Sequence, residues 1–124
     1  MSAIKTTSLI SVCLTFVFLF GCQSENDNQK IVGHWQGISW SVKGQPSGRD
    51  AGTVHFEFNA DDTYSASFGA QKEEGKFRLV KSNLYTTAKE QSEKMVQVAL
   101  PSPDTLIMDM NRAGTLEQLI LVKR

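Results

Sequence analysis

The sequence has little cysteine, little proline and no excess of charge. Its 124 residues include two cysteines and three prolines, and 13 basic residues balance 13 acidic ones. Because no basic block is present, nucleic acid is not expected as a partner. Cys13 and Cys22 both lie near the N-terminus, so the chain from residue 23 onward has no thiol. That absence excludes disulfides, thiolate metal sites and cysteine-based catalysis from this part of the protein.

Long apolar runs are also scarce. The longest stretch without a charge or a strong polar break covers Leu9 to Phe20, twelve residues, whereas a membrane-spanning helix needs about 20. Lys5 precedes the run and Gly21 follows it, in the order typical of a secretory signal peptide. We therefore expect residues 1–21 to be a cleaved signal peptide, with an uncleaved anchor as the alternative.

The end of this run, Leu19-Phe20-Gly21-Cys22, resembles the lipobox of bacterial lipoproteins, although Phe20 is bulkier than usual. The lipobox supplies a thiol for a diacylglyceryl thioether and a small residue that fits the peptidase. The resemblance implies that Cys22 is lipidated and becomes the first residue of the mature protein. Two or three acyl chains would anchor it stably in a membrane. By resemblance to proteobacterial sorting, Gln23 favours the outer membrane of the cell envelope, facing the periplasm.

The segment after the cysteine has no apolar side chain to bury. Gln23 to Lys30 reads QSENDNQK, a composition typical of flexible segments. Residues 22–30 are therefore predicted to be the lipidated cysteine and a tether. The remaining residues, 31–124, are enough for one domain with a modest core.

Apolar and polar residues alternate through most of that domain, as in half-buried antiparallel strands. Turn-forming residues separate the alternating runs, including two prolines at 101–104 that cannot continue a strand ladder. Eight strands are predicted, at 32–42, 52–59, 63–70, 75–81, 84–90, 94–100, 104–110 and 115–123. We expect an all-β fold, an eight-stranded antiparallel up-and-down meander barrel, because closure removes exposed edges. A two-sheet sandwich is the alternative. The long connection 43–52 is predicted to be a solvated loop.

Four parts of the domain resemble the small bacterial lipocalin-like lipoproteins of the calycin superfamily. They are a Gly-x-Trp segment at 31–35, an aromatic strand and acidic turn at 56–64, a hairpin at 75–84, and the last two strands at 104–106 and 119–124. Asp62 stands where that family usually has glycine. The resemblance implies a lipocalin-like barrel without the helix that follows the barrel of ordinary lipocalins.

Gly33 and Trp35 are predicted to form the closed end of the barrel. The indole of Trp35 can plug that end, and Gly33 lets the backbone bend inward without a Cβ clash. The resemblance implies an arginine of the last strand stacked on Trp35. Arg124 is the best positional match and Arg112 the second. These residues are expected to be structural.

Small residues on the first strand favour a ligand cavity. If Trp35 points inward, Gly37, Ser39 and Ser41 do too, facing an aromatic set that comprises Phe56, Phe58, Tyr64 and Phe68. We expect the barrel to bind a small apolar or amphipathic molecule. The alternative is a filled barrel that serves as an envelope protein-interaction module. Trp40 has the opposite parity, so it lies outside, marking a partner surface, or points inward past a bulge.

Catalysis and metal binding find little support in the sequence. No Gly-x-Ser-x-Gly motif occurs, and the adjacent acidic pairs at 61–62 and 73–74 are predicted to be solvated turn residues. His34 and His55 are expected to point outward without a third ligand. Met108 and Met110 share a face that Met95 could join for Cu(I), but core filling is favoured. We therefore expect no enzyme activity and no cofactor or metal.

The lipobox generates a direct prediction. Cys22→Ser removes the thiol that takes the lipid, so we expect an unprocessed precursor without bound lipid. Metabolic labelling with a radioactive fatty acid and membrane fractionation measure this. A mutant that is cleaved at the same bond and fractionates as the wild type does would contradict the lipoprotein interpretation.

Overall fold

A computed structural model describes residues 27–124, so the predicted signal peptide, Cys22 and most of the predicted tether lie outside the described residues. The described part contains nine strands and two short 3-10 helices. In chain order they are η1 (Asn28–Ile31), β1 (Gly33–Val42), β2 (Gln45–Pro46), η2 (Ala51–Thr53), β3 (Val54–Phe58), β4 (Thr63–Phe68), β5 (Gln71–Val80), β6 (Asn83–Ala88), β7 (Lys94–Ser102), β8 (Thr105–Arg112) and β9 (Thr115–Lys123).

The strands form a closed antiparallel barrel. From β3 to β9 each strand pairs with the next, β1 pairs with β3, and β1 also pairs with β9 through residues such as Trp35 and Lys123. The two-residue strand β2 only extends the edge of β1 at Ser41 and Val42. The predicted all-β, eight-stranded up-and-down barrel is therefore confirmed.

Two connections differ from the prediction. The charged stretch at 71–74 was expected to be a loop, but it forms the start of β5, where Gln71 pairs with Phe68. Charges are accepted there because this part of the strand is at the rim and three of the four residues are exposed. The predicted loop 43–52 instead contains β2 and the start of η2, with Asp50 capping η2 through its carboxylate.

The core is concentrated at one end of the barrel, which we call the closed end. Trp35 is fully buried there, and its indole N–H donates to the carbonyl of Ile31 at 2.9 Å. Phe58 packs against Phe77 with ring centroids 4.8 Å apart. Leu79, Leu106, Leu119 and Leu121 are each buried to 1% exposure or less. Trp35 thus occupies the position predicted for it.

The segment before β1 seals the closed end, and the tether prediction is wrong for residues 27–30. Asn28 is only 2% exposed. Its side chain accepts from the Leu79 N–H at 2.7 Å and donates to Asp62 Oδ1 at 2.7 Å and to the Phe77 carbonyl at 3.2 Å. The polar composition of residues 27–30 gave no sign that they pack at the closed end, because the burial of Asn28 depends on hydrogen bonds and not on apolar contacts.

Asp27 reinforces the seal. Its N–H donates to the Leu79 carbonyl at 2.6 Å, and its carboxylate accepts from the Lys81 N–H at 3.0 Å. The Lys81 N–H, followed by the Lys30 ammonium, holds the pKa of Asp27 below its usual range. A lowered carboxyl pKa means that this contact stabilises the fold at neutral pH and is lost as the pH falls below the unfolded value.

A different cation from the expected one stacks on Trp35. The Lys123 ammonium lies 5.4 Å from the Trp35 ring centroid. Arg124 instead donates from Nε to Gln36 Oε1 at 3.3 Å, and its N–H donates to the His34 carbonyl. Arg124 is therefore not the stacking residue, and Arg112 lies at the other end of the barrel. Gly33 has a φ of +142°, and a Cβ there would meet Lys123 Cε at 2.6 Å, so a side chain is disfavoured at this position.

A β-bulge between Gly37 and Ser39 reverses which residues of β1 face inward. Below the bulge Trp35 and Gly37 are buried. Above it Trp40 pairs with the inward Leu119, and Ser39 pairs with Ile120 on the outside. An extra residue in one strand shifts its side-chain alternation by one. The prediction that Ser39 and Ser41 face the interior is therefore wrong, and Trp40 points inward past a bulge.

The two tryptophans of β1 provide a matched stability test. Trp35→Ala empties a fully buried site, so we expect a loss of about 3–5 kcal/mol in the free energy of unfolding. Trp40→Ala, at the half-buried open end, should cost clearly less. Chemical denaturation of both variants measures the difference. Equal midpoints, or a larger loss for Trp40→Ala, would contradict the assignment of Trp35 as the plug.

Candidate functional site

The end of the barrel opposite η1 is open and holds a cavity of about 670 Å³. Four connections surround this open end: 43–53 between β1 and β3, 69–70 between β4 and β5, 89–93 between β6 and β7, and 113–114 between β8 and β9. The antiparallel meander places these connections together and puts 59–62, 81–82 and 103–104 at the closed end. The segment at η1 packs against Leu79 at the closed end, so the cavity lies on the side of the described domain away from η1.

The inner wall of the cavity is apolar. Its apolar side chains are Trp40, Phe56, Phe68, Leu84, Val96, Met108 and Met110. Phe56 and Phe68 meet edge to face, with centroids 5.5 Å apart, in the geometry that aromatic rings prefer. Large aromatics from β1, β3 and β4 thus face flexible methionines from β8 across the opening. Such a wall suits an apolar guest of variable shape.

Two of the six predicted ligand-binding residues line this cavity. Phe56 and Phe68 do, whereas Phe58 and Tyr64 lie below it in the packed half, at 1% and 2% exposure. Ser39 and Ser41 border a separate outer depression beneath the 44–51 loop. The domain is thus filled in its closed half and open in the other. The sequence predicted that these aromatic residues face inward. It did not predict which of them belong to the packed half of the barrel and which line the cavity.

Polar groups surround the open end in a connected set. Arg49 lies over the Trp40 ring, 5.0 Å from its centroid. The Trp40 N–H donates to Glu117 Oε1 at 3.3 Å, and Arg112 Nε contacts Glu117 Oε2 at 3.0 Å. Glu117 is 6% exposed, so its charge is balanced by Arg112 and the indole N–H. These contacts fix the orientation of Trp40 at the mouth.

Sequence reasoning missed Arg49 and Glu117. Glu117 carried a usable signal, because it occupies an inward position of β9, two residues before Leu119. A carboxylate on the inward face of a strand needs a cationic or N–H partner. Arg49 carried no such signal, since it belongs to an irregular loop whose path depends on tertiary contacts. One of those contacts explains Gly37, where a Cβ would collide with the Ala51 carbonyl.

Tyr64 is buried close to two residues of the cavity lining. Burial raises the pKa of Tyr64, the nearby Glu73 carboxylate raises it further, and a hydrogen bond with Thr86 opposes both. Glu73 and Thr86 both line the cavity. The phenol therefore stays protonated at neutral pH.

The outer surface carries a pair of histidines and an exposed methionine. His34 Nε2 lies 3.2 Å from His55 Nδ1, and the rings are stacked with centroids 5.2 Å apart. Both histidines lie on the outer wall, as predicted, but they contact each other. Met95 is 53% exposed, on the outside of β7, so it does not join Met108. Among residues 27–124, no three His, Cys, Asp or Glu side chains converge as metal ligands.

Comparisons with known proteins do not identify a family. The chain matches no protein-family profile, and neither the curated proteins nor the solved structures contain a match to it. The lipocalin-like resemblance therefore stays a prediction based on the residues quoted for it. Within the described range, no helix is both long enough and apolar enough to cross a bilayer.

Proposed function

We propose that this protein is a lipid-anchored binding protein of the bacterial cell envelope, which holds a small apolar or amphipathic molecule in the open half of its barrel. The observation that carries the proposal is the 670 Å³ cavity with an aromatic and methionine wall. Small-molecule sites are commonly clefts of about 300–1,000 Å³ with mostly apolar linings and a few placed polar groups. The lipobox residues up to Cys22 support the anchor, and Gln23 supports the outer membrane.

A filled barrel acting only as a protein-interaction module has less support. That alternative predicted an apolar outer patch around Trp40, but Trp40 faces the cavity, with Arg49 stacked on its ring. The apolar interior above Phe56 is also open to solvent, which a purely structural core avoids.

The position of Asp27 bears on how the cavity would face the membrane. Four residues, 23–26, separate Cys22 from Asp27, so the extended chain between their Cα atoms spans at most about 18 Å. Asp27 is fixed at the closed end by Leu79 and Lys81. The ten-residue strand β5, tilted as barrel strands are, gives a barrel height of about 25 Å. We propose that the closed end faces the membrane and the cavity opens away from it.

Ligand binding can be tested with two enlarging substitutions. Val96→Phe adds volume inside the open cavity, so we expect it to abolish binding of an apolar fluorescent probe and to change stability by less than about 1 kcal/mol. Ser39→Phe adds the same ring to the outer wall, where the side chain is exposed, and should leave binding unchanged. Fluorescence titration of residues 23–124 and chemical denaturation measure both effects.

The outcomes separate the two functions. If the wild type binds no probe and Val96→Phe is destabilised by the 1–3 kcal/mol typical of overpacking, the barrel is filled in solution and the binding proposal is wrong. Saturable binding that Val96→Phe leaves intact would place the probe outside the cavity.

Orientation can be tested with single cysteines, because the lipidated protein has no other free thiol. Ser82→Cys labels the closed end and Ser92→Cys labels the open end, and both positions are exposed. With a fluorophore on each variant of the lipidated protein in vesicles, energy transfer to a lipid-bound acceptor should be stronger from residue 82. Equal or stronger transfer from residue 92 would contradict the proposed orientation.

A further inference from the structure

A cationic side chain of the cavity lining lies within or next to each of the four connections at the open end. Arg49 comes from the 43–53 connection, Lys72 from the start of β5, Lys94 from the start of β7, and Arg112 from the end of β8. Lys94 pairs with Thr86, and Arg112 follows Met110 by two residues, so both side chains share the inward face of their strands. Lys72 pairs with the outward Ser67, so it borders the cavity from the rim and not from the inner wall. We call these four residues the rim cations.

Most of the rim cations lack an acidic partner. Within residues 27–124, Arg112 alone among them forms an ion pair, with Glu117. Arg49 stacks on Trp40, and the Lys94 ammonium donates to Gln91 Oε1 at 3.3 Å. Glu73 is the one acidic residue in the cavity lining. Counting both Glu73 and the paired Glu117, the side chains at the cavity have an excess of about two positive charges.

This excess is local and does not follow from the composition. The whole chain has equal numbers of acidic and basic residues. The connections around the open end are balanced, with three basic and three acidic residues, so the excess is confined to the side chains that line the cavity. Charges of one sign around a low-dielectric opening focus the field there and raise the local concentration of the oppositely charged ligand.

We propose that the ligand is an anionic amphipath, with its apolar chain against the methionine and aromatic wall and its carboxylate or phosphate head among the rim cations. This inference rests on the proposed binding function. From Arg112 to Met108 the cavity wall runs four residues, about 13 Å along the strand, and Leu106 below it is fully buried. The apolar chain that fits is therefore of medium length.

Three ligands with the same ten-carbon chain and different heads test the inference. Decanoate, decanol and decyltrimethylammonium are titrated against the delipidated protein, residues 23–124, by calorimetry at low salt. We expect decanoate to bind most tightly and decyltrimethylammonium least. Added salt should weaken decanoate binding and leave decanol binding nearly unchanged, because salt screens exposed charges. Decyl phosphate is titrated as well, to distinguish a phosphate head group from a carboxylate. The proposal is supported if either decanoate or decyl phosphate binds more tightly than decanol.

A matched pair of double variants locates the effect. Lys72→Gln with Lys94→Gln removes two rim cations, and Lys76→Gln with Lys81→Gln removes two exposed lysines away from the cavity. The first pair should weaken decanoate binding about two- to fivefold for each cation removed, without changing decanol binding. The second pair has the same net charge and should change neither affinity.

Each remaining outcome overturns the inference. Equal affinity for decanoate and decanol, or the tightest binding for decyltrimethylammonium, contradicts the anionic head but leaves the binding proposal intact. An equal loss of decanoate affinity in both double variants means that the affinity depends on the net charge of the protein and not on the position of the rim cations. If none of the ligands binds, the inference and the proposed function both fail.

Discussion

The bulge in β1 is the constraint on which the two halves of this barrel depend. Below it, β1 faces the core with Trp35, and Gly37 leaves room for the Ala51 carbonyl. Above it, the inward positions belong to Trp40 and Val42, which pair with Leu119 and Glu117. Without the extra residue, Ser39 and Ser41 would face the opening and Trp40 would lie on the outer wall. One strand thereby plugs the closed end with one indole and lines the cavity with the other.

The closed end depends on polar contacts as much as on apolar packing. Asn28 joins the Leu79 N–H, the Phe77 carbonyl and the Asp62 carboxylate in the interior. Asp62 has a φ of +68°, a conformation that favours glycine. The carboxylate that accepts from Asn28 gives a physical reason for an aspartate where the resembling family usually has glycine. The backbone cost at Asp62 accompanies a partly buried hydrogen bond to Asn28 at the closed end.

The sequence was informative where one face of a strand is buried and the other is solvated. The period-two alternation around Phe56 and Phe77 predicted strands, and with the turn residues it predicted the order and number of the barrel strands. It was uninformative where tertiary contacts override the local pattern. The charged start of β5 reads as a loop, although its backbone is paired with β4. The bulge leaves no signal in the composition, so the alternation from Trp35 places Ser39 and Ser41 on the wrong face and leaves both orientations open for Trp40.

The candidate site was predictable in its residue types and not in its boundaries. Aromatic residues on β3 and β4 were expected inside, but Phe58 and Tyr64 lie in the packed half while Phe56 and Phe68 line the cavity. That division depends on how η1 and Trp35 fill the base, which one strand's pattern does not encode. The rim residues lie within or next to four separate connections, and their proximity follows only from closure of the meander.

Closure also has a consequence for how the chain folds. The hairpins from β3 to β9 join neighbouring segments, but the pairing of Trp35 with Lys123 joins residues from opposite ends of the domain. Non-local pairings of this kind are slow, because loop entropy is lost before the contacts form. The N-terminal strand of a growing chain is made first. One edge of β1 therefore stays unpaired until β9 has been synthesised. Until β9 arrives, the unfinished sheet has two open edges on which another chain could pair, and the time spent in that state sets the risk of aggregation during biogenesis.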